Sequence, residues 1–211
     1  MSDYEFLAQI RNNTRGISLS EFEEKAVLGY INIQNYDLLL GHKLTENILV
    51  KLKNLKKEIS LLQELSIVEC NLDDKEIVDA INRIYSELQI EGLWMTGASK
   101  IAHLLNDRLL PPISLNIAMH FGIHKDNITQ WLNKIQKDIQ EAVDDFENQK
   151  YEGTVSQYLS EKLGYLNHGY GYSKSLIKFV DEYYWLVYDD RLPIPPKWIP
   201  DMVVERPPVN K

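Results

Sequence analysis

From Leu44 to Leu62 the apolar side chains Leu44, Ile48, Leu52, Leu55, Ile59 and Leu62 recur every three or four positions. That spacing lays them along one face of a helix. The same period returns in Ile77, Val78, Ile81, Ile84, Tyr85 and Leu88. It returns again in Ile128, Trp131, Leu132, Ile135, Ile139, Val143 and Phe146. No stretch shows the two-residue alternation of a half-buried strand. A chain patterned in this way buries its stripes by packing helix on helix. The expected fold is all-α: a single globular domain of about eight or nine helices over residues 1–190, either with one core or with two lobes flanking a cleft. Residues 191–211 open with RLPIPPKWIP. The prolines require an extended segment, expected to pack through Trp198 and Ile199 and to end loosely.

Cap signals set the expected boundaries. A short helix over 3–12 carries Tyr4, Phe6, Leu7 and Ile10, and Ser20 with Glu23 forms a capping box for the next. One long helix is expected over 44–65. Asn71 or Asp73 caps a helix over 74–89, Ser114 caps one to about His120, and Asp126 caps one to about Asn148. Thr154 or Ser156 opens a helix ending near Leu163. The HGYGY run at 168–172 reads as a loop, and Ser173 caps a final helix over 176–188.

Charge narrows the partners. The formal net charge is −8, which gives nucleic acid no help from the overall field and counts against a coat protein or a membrane-surface protein. Lys51, Lys53, Lys56 and Lys57 form a local basic face, read as a solvated helix surface rather than a phosphate track. No apolar run approaches the ~20 residues that span a bilayer. Cys70 is the only cysteine, so no internal disulfide can form. The opening MSDYEFLAQIRNN lacks the basic and apolar regions of a signal peptide. A cytoplasmic protein without a membrane partner is expected.

The chemistry-bearing residues are few. His120 and His124 have a four-residue spacing that suits two metal ligands, but Gly122 interrupts them and no third ligand is apparent. Cys70 has no nucleophile signature around it and reads as a small buried residue. There is no phosphate-cradling glycine loop. Neither a metal nor a cofactor is expected. The most specific stretch is Ile90 to Gly122, where a glycine-punctuated turn leads into a helix bearing Lys100 and His103 on one face. Amide groups at such a helix start can hold a phosphate, and a lysine there can serve as a nucleophile when burial lowers its pKa.

Lys100-Ile101-Ala102, then Pro112-Ile113-Ser114, then the apolar run Leu115 to Gly122 resemble the helix-hairpin-helix base-excision DNA glycosylases. That family carries Leu-Pro-Gly-Val-Gly in its hairpin, Lys-x-Ala at the next helix and Pro-Val-Asp after it. The resemblance implies that Gly92, Thr96, Gly97, Ser99, Lys100 and Ser114 contact a nucleic-acid backbone and that Lys100 is the nucleophile. Trp94-Met95-Thr96-Gly97-Ala98 stands in place of the hairpin motif, and Ser114 in place of the aspartate. Asp107 is the nearest acid that could substitute. With the aspartate replaced, the resemblance implies a non-catalytic DNA-contacting protein ahead of an active lyase. Ser99-Lys100-Ile101-Ala102-His103 and Asp181-Glu182-Tyr183-Tyr184-Trp185 also look like a loose set of small bacterial helical proteins.

A second expectation comes from the residues themselves. Tyr183, Tyr184, Trp185 and Tyr188, with Trp198, concentrate aromatic surface near the C-terminus. Such a cluster suits a protein partner. A third is a small-molecule pocket between helices.

Overall fold

The computed structural model describes residues 43–91, 93–124, 127–162 and 174–189. They form helices α1 (Lys43–Asn54), α2 (Lys56–Leu62), α3 (Lys75–Leu88), α4 (Trp94–Leu105), α5 (Leu115–Phe121), α6 (Ile128–Asn148), α7 (Val155–Lys162) and α8 (Leu176–Tyr184). One π-helical turn, Trp185–Asp189, continues α8. There is no strand among the described residues, so the fold is all-α. The expected helices before residue 43, Gly92, Asp126, the 168–172 loop, Ser173 and the Trp198 segment lie outside the described residues.

The apolar stripes are the core. Leu44, Ile48, Leu52, Leu55, Ile59 and Leu62 are all buried, as are Ile81, Ile84, Tyr85 and Leu88 of α3. Ile128, Trp131, Leu132, Ile135 and Ile139 of α6 join them in one continuous cluster that also includes Ile177 and Tyr184 of α8. The 44–65 stretch is two helices rather than one. Leu55 sits between them at φ −95°, ψ 7°, with its N–H shared by the carbonyls of Lys51 and Leu52. The break turns the chain while both halves keep their apolar faces inward.

Two caps differ from expectation. Asp74, not Asn71 or Asp73, caps α3, accepting from the Glu76 N–H at 2.9 Å. Asn71 instead accepts from Asp73 in the turn before it. Ser175 caps α8 by accepting from Lys178 at 3.2 Å. Ser114 caps α5 as expected, and Gly122 ends that helix at φ 61° in the left-handed region. Thr154 and Gln157 exchange side-chain-to-backbone bonds at the start of α7.

The basic face of α1 and α2 meets acids of α3. Lys51 pairs with Glu87 at 2.5 Å and Lys57 with Glu76 at 3.5 Å. Lys51 holds the Glu87 carboxyl below its usual range. Such exposed pairs contribute little to stability. They do occupy half of the four lysines that a phosphate track would need.

The stretch between α4 and α5, Asn106 to Ser114, has no regular structure of its own. Its Leu109, Leu110 and Ile113 are nevertheless fully buried. Side chains of neighbouring elements satisfy its backbone. The Tyr85 hydroxyl donates to the Pro111 carbonyl at 2.8 Å. The buried Asn106 amide donates to the carbonyls of Leu62 and Leu65 at 2.7 and 2.9 Å, and its oxygen accepts from the Arg108 N–H at 2.9 Å. Removing the Asn106 amide takes the donor from the Leu65 carbonyl and leaves the Leu62 carbonyl only the Leu65 N–H. Asn106→Ala is expected to cost about 2–4 kcal/mol. Urea unfolding reads this as a lower midpoint with an unchanged slope, and Asn106→Asp, which keeps the shape but loses the donors, should fall nearly as far.

Candidate functional site

α3, a turn over 89–93 and α4 pack as a helix–turn–helix unit. The stretch that stands in place of the hairpin motif is part of α4 rather than a turn. Trp94, Met95, Thr96, Gly97 and Ala98 are all helical. Trp94 opens α4 at φ 49°, a strained value for a bulky residue, and is 69% exposed.

The structure divides the expected nucleic-acid residues. Gly97 is buried, and a Cβ built on it would lie 2.5 Å from Cδ1 of Leu93. Its lack of a side chain therefore serves the packing of α4 on its own turn. Ser99 is also buried: its hydroxyl donates to the Thr96 carbonyl at 2.9 Å and accepts from the Ile113 N–H at 2.8 Å. Ser114 is the N-cap of α5. Thr96 and Lys100 are half-buried. Of the expected set within the described residues, Thr96, Lys100 and Ser114 retain surface, while Gly97 and Ser99 are internal.

Lys100 lies on α4, and Asp107 follows its C-terminal end. They are seven residues apart, about 10 Å at the α-helical rise, and α4 ends at Leu105 between them. Asp107 acts on His103, whose charge it favours. His103 is buried, and its Nδ1 lies 2.8 Å from the Leu110 carbonyl. A carbonyl only accepts, so Nδ1 carries the proton. Burial holds the imidazole below its usual range, opposed by Asp107 and by that hydrogen bond, with Lys178 and Asp181 acting from α8.

The Ser99–His103 and Asp181–Trp185 motifs thus converge in space. Lys178 pairs with Asp181 at 2.6 Å, and the buried Lys174 donates to both oxygens of Glu182 at 2.6 and 2.9 Å. Ser160 and Ser156 hold the Lys174 backbone from α7. The charge pairs lie within α8 and its lead-in, and the Ser156 and Ser160 bonds tie that lead-in to α7.

The larger open surface lies at α5 and the C-terminal turn. His120 stacks on Tyr188 with ring centres 4.1 Å apart, and Phe121 contacts Tyr184 and Tyr188 at 5.4 and 5.1 Å. The Tyr184 hydroxyl donates to Asp138 of α6 at 2.8 Å, and burial followed by that carboxylate pushes its pKa up. Around this aromatic cluster Leu115, Met119, Tyr183, Trp185 and Leu186 are exposed. They are five of the nine exposed large apolar side chains among the described residues, concentrated on two segments that pack together. Sequence reasoning identified the tyrosines but not Leu115 and Met119, whose i, i+4 spacing is that of a core stripe.

Phe121 also forms one wall of a 140 Å³ cleft lined by Ile123, Asn127, Gln130, Trp131 and Lys134. The cleft is distinct from the expected inter-lobe pocket, since it lies where the loop after α5 meets α6.

Cys70 is buried, and burial, then Asp74, pushes its thiol up to about 11, which keeps it protonated and unreactive at neutral pH. Among the described residues no three His, Cys, Asp or Glu side chains are grouped to hold a metal. No described helix is long and apolar enough to cross a membrane.

His103 generates a pH prediction. Its folded-state pKa is depressed, so the unfolded chain binds the extra proton first. Its neutral form should contribute stability fully above about pH 6.5, lost as pH falls toward the folded value. Urea midpoints at pH 7.5 and 5.5 should therefore differ more for the wild type than for His103→Gln, and equal differences would exclude the effect. No family model, no curated protein and no solved structure matches this chain.

Proposed function

We propose that the chain is a non-catalytic helical binding protein whose partner is another protein, engaged through α5 and the C-terminal turn. The observation that carries this reading is the clustering of Leu115, Met119, Tyr183, Trp185 and Leu186 on two adjoining segments. A contiguous apolar patch of this kind marks an interaction surface, and aromatic residues and methionine are enriched at such surfaces. The net charge of −8 selects a partner with an apolar face flanked by basic residues. The reading also accounts for the chemistry around α4, where Ser99 and His103 are committed to backbone groups.

Photo-crosslinking tests it. A crosslinking residue at Met119 should capture one defined protein in cells, and the same residue at exposed Val50 on α1 should not. The capture should fall by about ten-fold in a Leu115→Lys background, the size of an anchor residue's loss. Indistinguishable adducts from positions 119 and 50 would overturn the reading.

One observation favours a second reading, contact with a nucleic-acid backbone. Lys100 is half-buried on α4 and forms no ion pair with a described residue. It is a cation available to phosphate next to a helix–turn–helix unit, in keeping with the resemblance to the helix-hairpin-helix glycosylases. On this reading duplex binding weakens as salt rises, and Lys100→Ala lowers the salt slope by about 1. Because Ser114 stands in place of the aspartate, borohydride should trap no adduct on abasic DNA. A trapped adduct that disappears in Lys100→Ala would establish a lyase instead.

A further inference from the structure

The cleft between the end of α5 and the start of α6 is chemically one-sided. Phe121, Ile123 and the Trp131 ring provide apolar walls. Trp131 is 5% exposed, and its indole Nε1–H is buried with no acceptor among the described residues. Trp131 therefore offers the cleft its ring face, and the polar groups at the opening come from the next turn of α6 and its start. Gln130 brings an exposed amide to the rim. Lys134 brings an ammonium group, 5.9 Å from the centre of the Phe121 ring. Its acidic neighbour Asp138 is 3.4 Å away, and the same Asp138 oxygen accepts the Tyr184 hydroxyl at 2.8 Å. The Lys134 charge is therefore only partly compensated. Asn127 offers no counterweight, because its oxygen accepts from the His124 N–H and its amide donates to the Gly122 carbonyl. Donors outnumber acceptors around an apolar floor.

Size decides what can enter. At 140 Å³ the cleft is well below the ~300–1,000 Å³ of sites for cofactors and drug-sized ligands. It accommodates one side-chain-sized group. The overall charge of −8 does not forbid an anion there, since salt screens distant charges beyond about 8 Å and the local donors dominate.

We propose that this cleft is a binding site for a small aliphatic carboxylate, with the alkyl group against Phe121, Ile123 and the Trp131 ring and the carboxylate met by Gln130 and Lys134 at the rim. Two sources share this chemistry: a free short-chain acid and the terminal carboxylate of a peptide ending in an aliphatic residue. The site adjoins the partner surface through Phe121, and its test reads a different signal.

The full chain has four tryptophans, so ¹⁵N labelling gives a small set of indole resonances, and Trp131→Phe assigns the one in the cleft. Titration with 4-methylpentanoate and with N-acetyl-leucine should shift the Trp131 indole proton saturably for at least one acid. The matching neutral amides should bind about ten-fold more weakly, as expected when a charge-assisted hydrogen bond is lost. Lys134→Ala, a change at a half-exposed side chain, should weaken the acid about as much while leaving the amide unchanged. Preference for N-acetyl-leucine assigns the peptide source, and preference for the free acid assigns the metabolite source. No saturable shift with either acid, equal binding of the amides, or no effect of Lys134→Ala would each overturn the proposal.

Discussion

The constraint on which the fold depends is a stretch of buried backbone without secondary structure. Between α4 and α5 the chain passes through the core at Leu109, Leu110 and Ile113, all fully buried. Pro111 and Pro112 bar a helix there. Buried peptide groups must still be paired, and here the surrounding helices supply the partners. Tyr85 of α3 takes the Pro111 carbonyl, His103 and Ser99 of α4 take Leu110 and Ile113, and Asn106 ties the same crossing to the end of α2. The Ile67 N–H adds a bond to the Arg108 carbonyl. Three helices are thus registered against one another by polar contacts that an apolar core alone would leave free to slide.

This arrangement changes how the central motif is understood. Ser99, Lys100 and His103 look like chemistry because a hydroxyl, an amine and an imidazole stand within five residues. Two of the three are consumed in holding the crossing. The third, Lys100, is half-buried on the same helix. Even the glycine of the supposed hairpin is spent inside α4, against Leu93. A helix–turn–helix followed by a proline-rich crossing and a serine-capped helix has its own structural logic.

How much of this is legible in the sequence follows from the range of the interactions. The helices are legible because a stripe of period 3.6 is written locally; nearly every residue expected inside α1, α2, α3 and α6 is buried, with Ile77, Val78 and Val143 at the margin. The Leu55 break is not legible, since both halves continue the same spacing. Caps are ambiguous where several competent residues adjoin, as at Asn71, Asp73 and Asp74, because only the backbone geometry selects among them. The roles of Ser99 and Asn106 depend on partners 14 and 44 residues away, which no local pattern encodes. Leu115 and Met119 carry the opposite lesson. Their spacing reads as core, yet α5 buries only Ile117 fully and turns those two outward.

Asp138 links the two surfaces that remain open. Its carboxylate accepts the Tyr184 hydroxyl beneath the aromatic cluster and faces Lys134 at the cleft. An anion in the cleft would draw Lys134 away from Asp138 and leave the carboxylate more fully to Tyr184. Tyr184 in turn packs on Phe121 and Tyr188, which support the exposed strip of α5 and the C-terminal turn. Any partner that prefers one setting of Tyr184 must then alter carboxylate affinity, and the carboxylate must alter partner affinity by the same factor, because coupling between two binding sites is reciprocal. The Lys134 and Tyr184 contacts meet at one oxygen between α6 and α8, which makes Asp138 the position where the two surfaces can be separated.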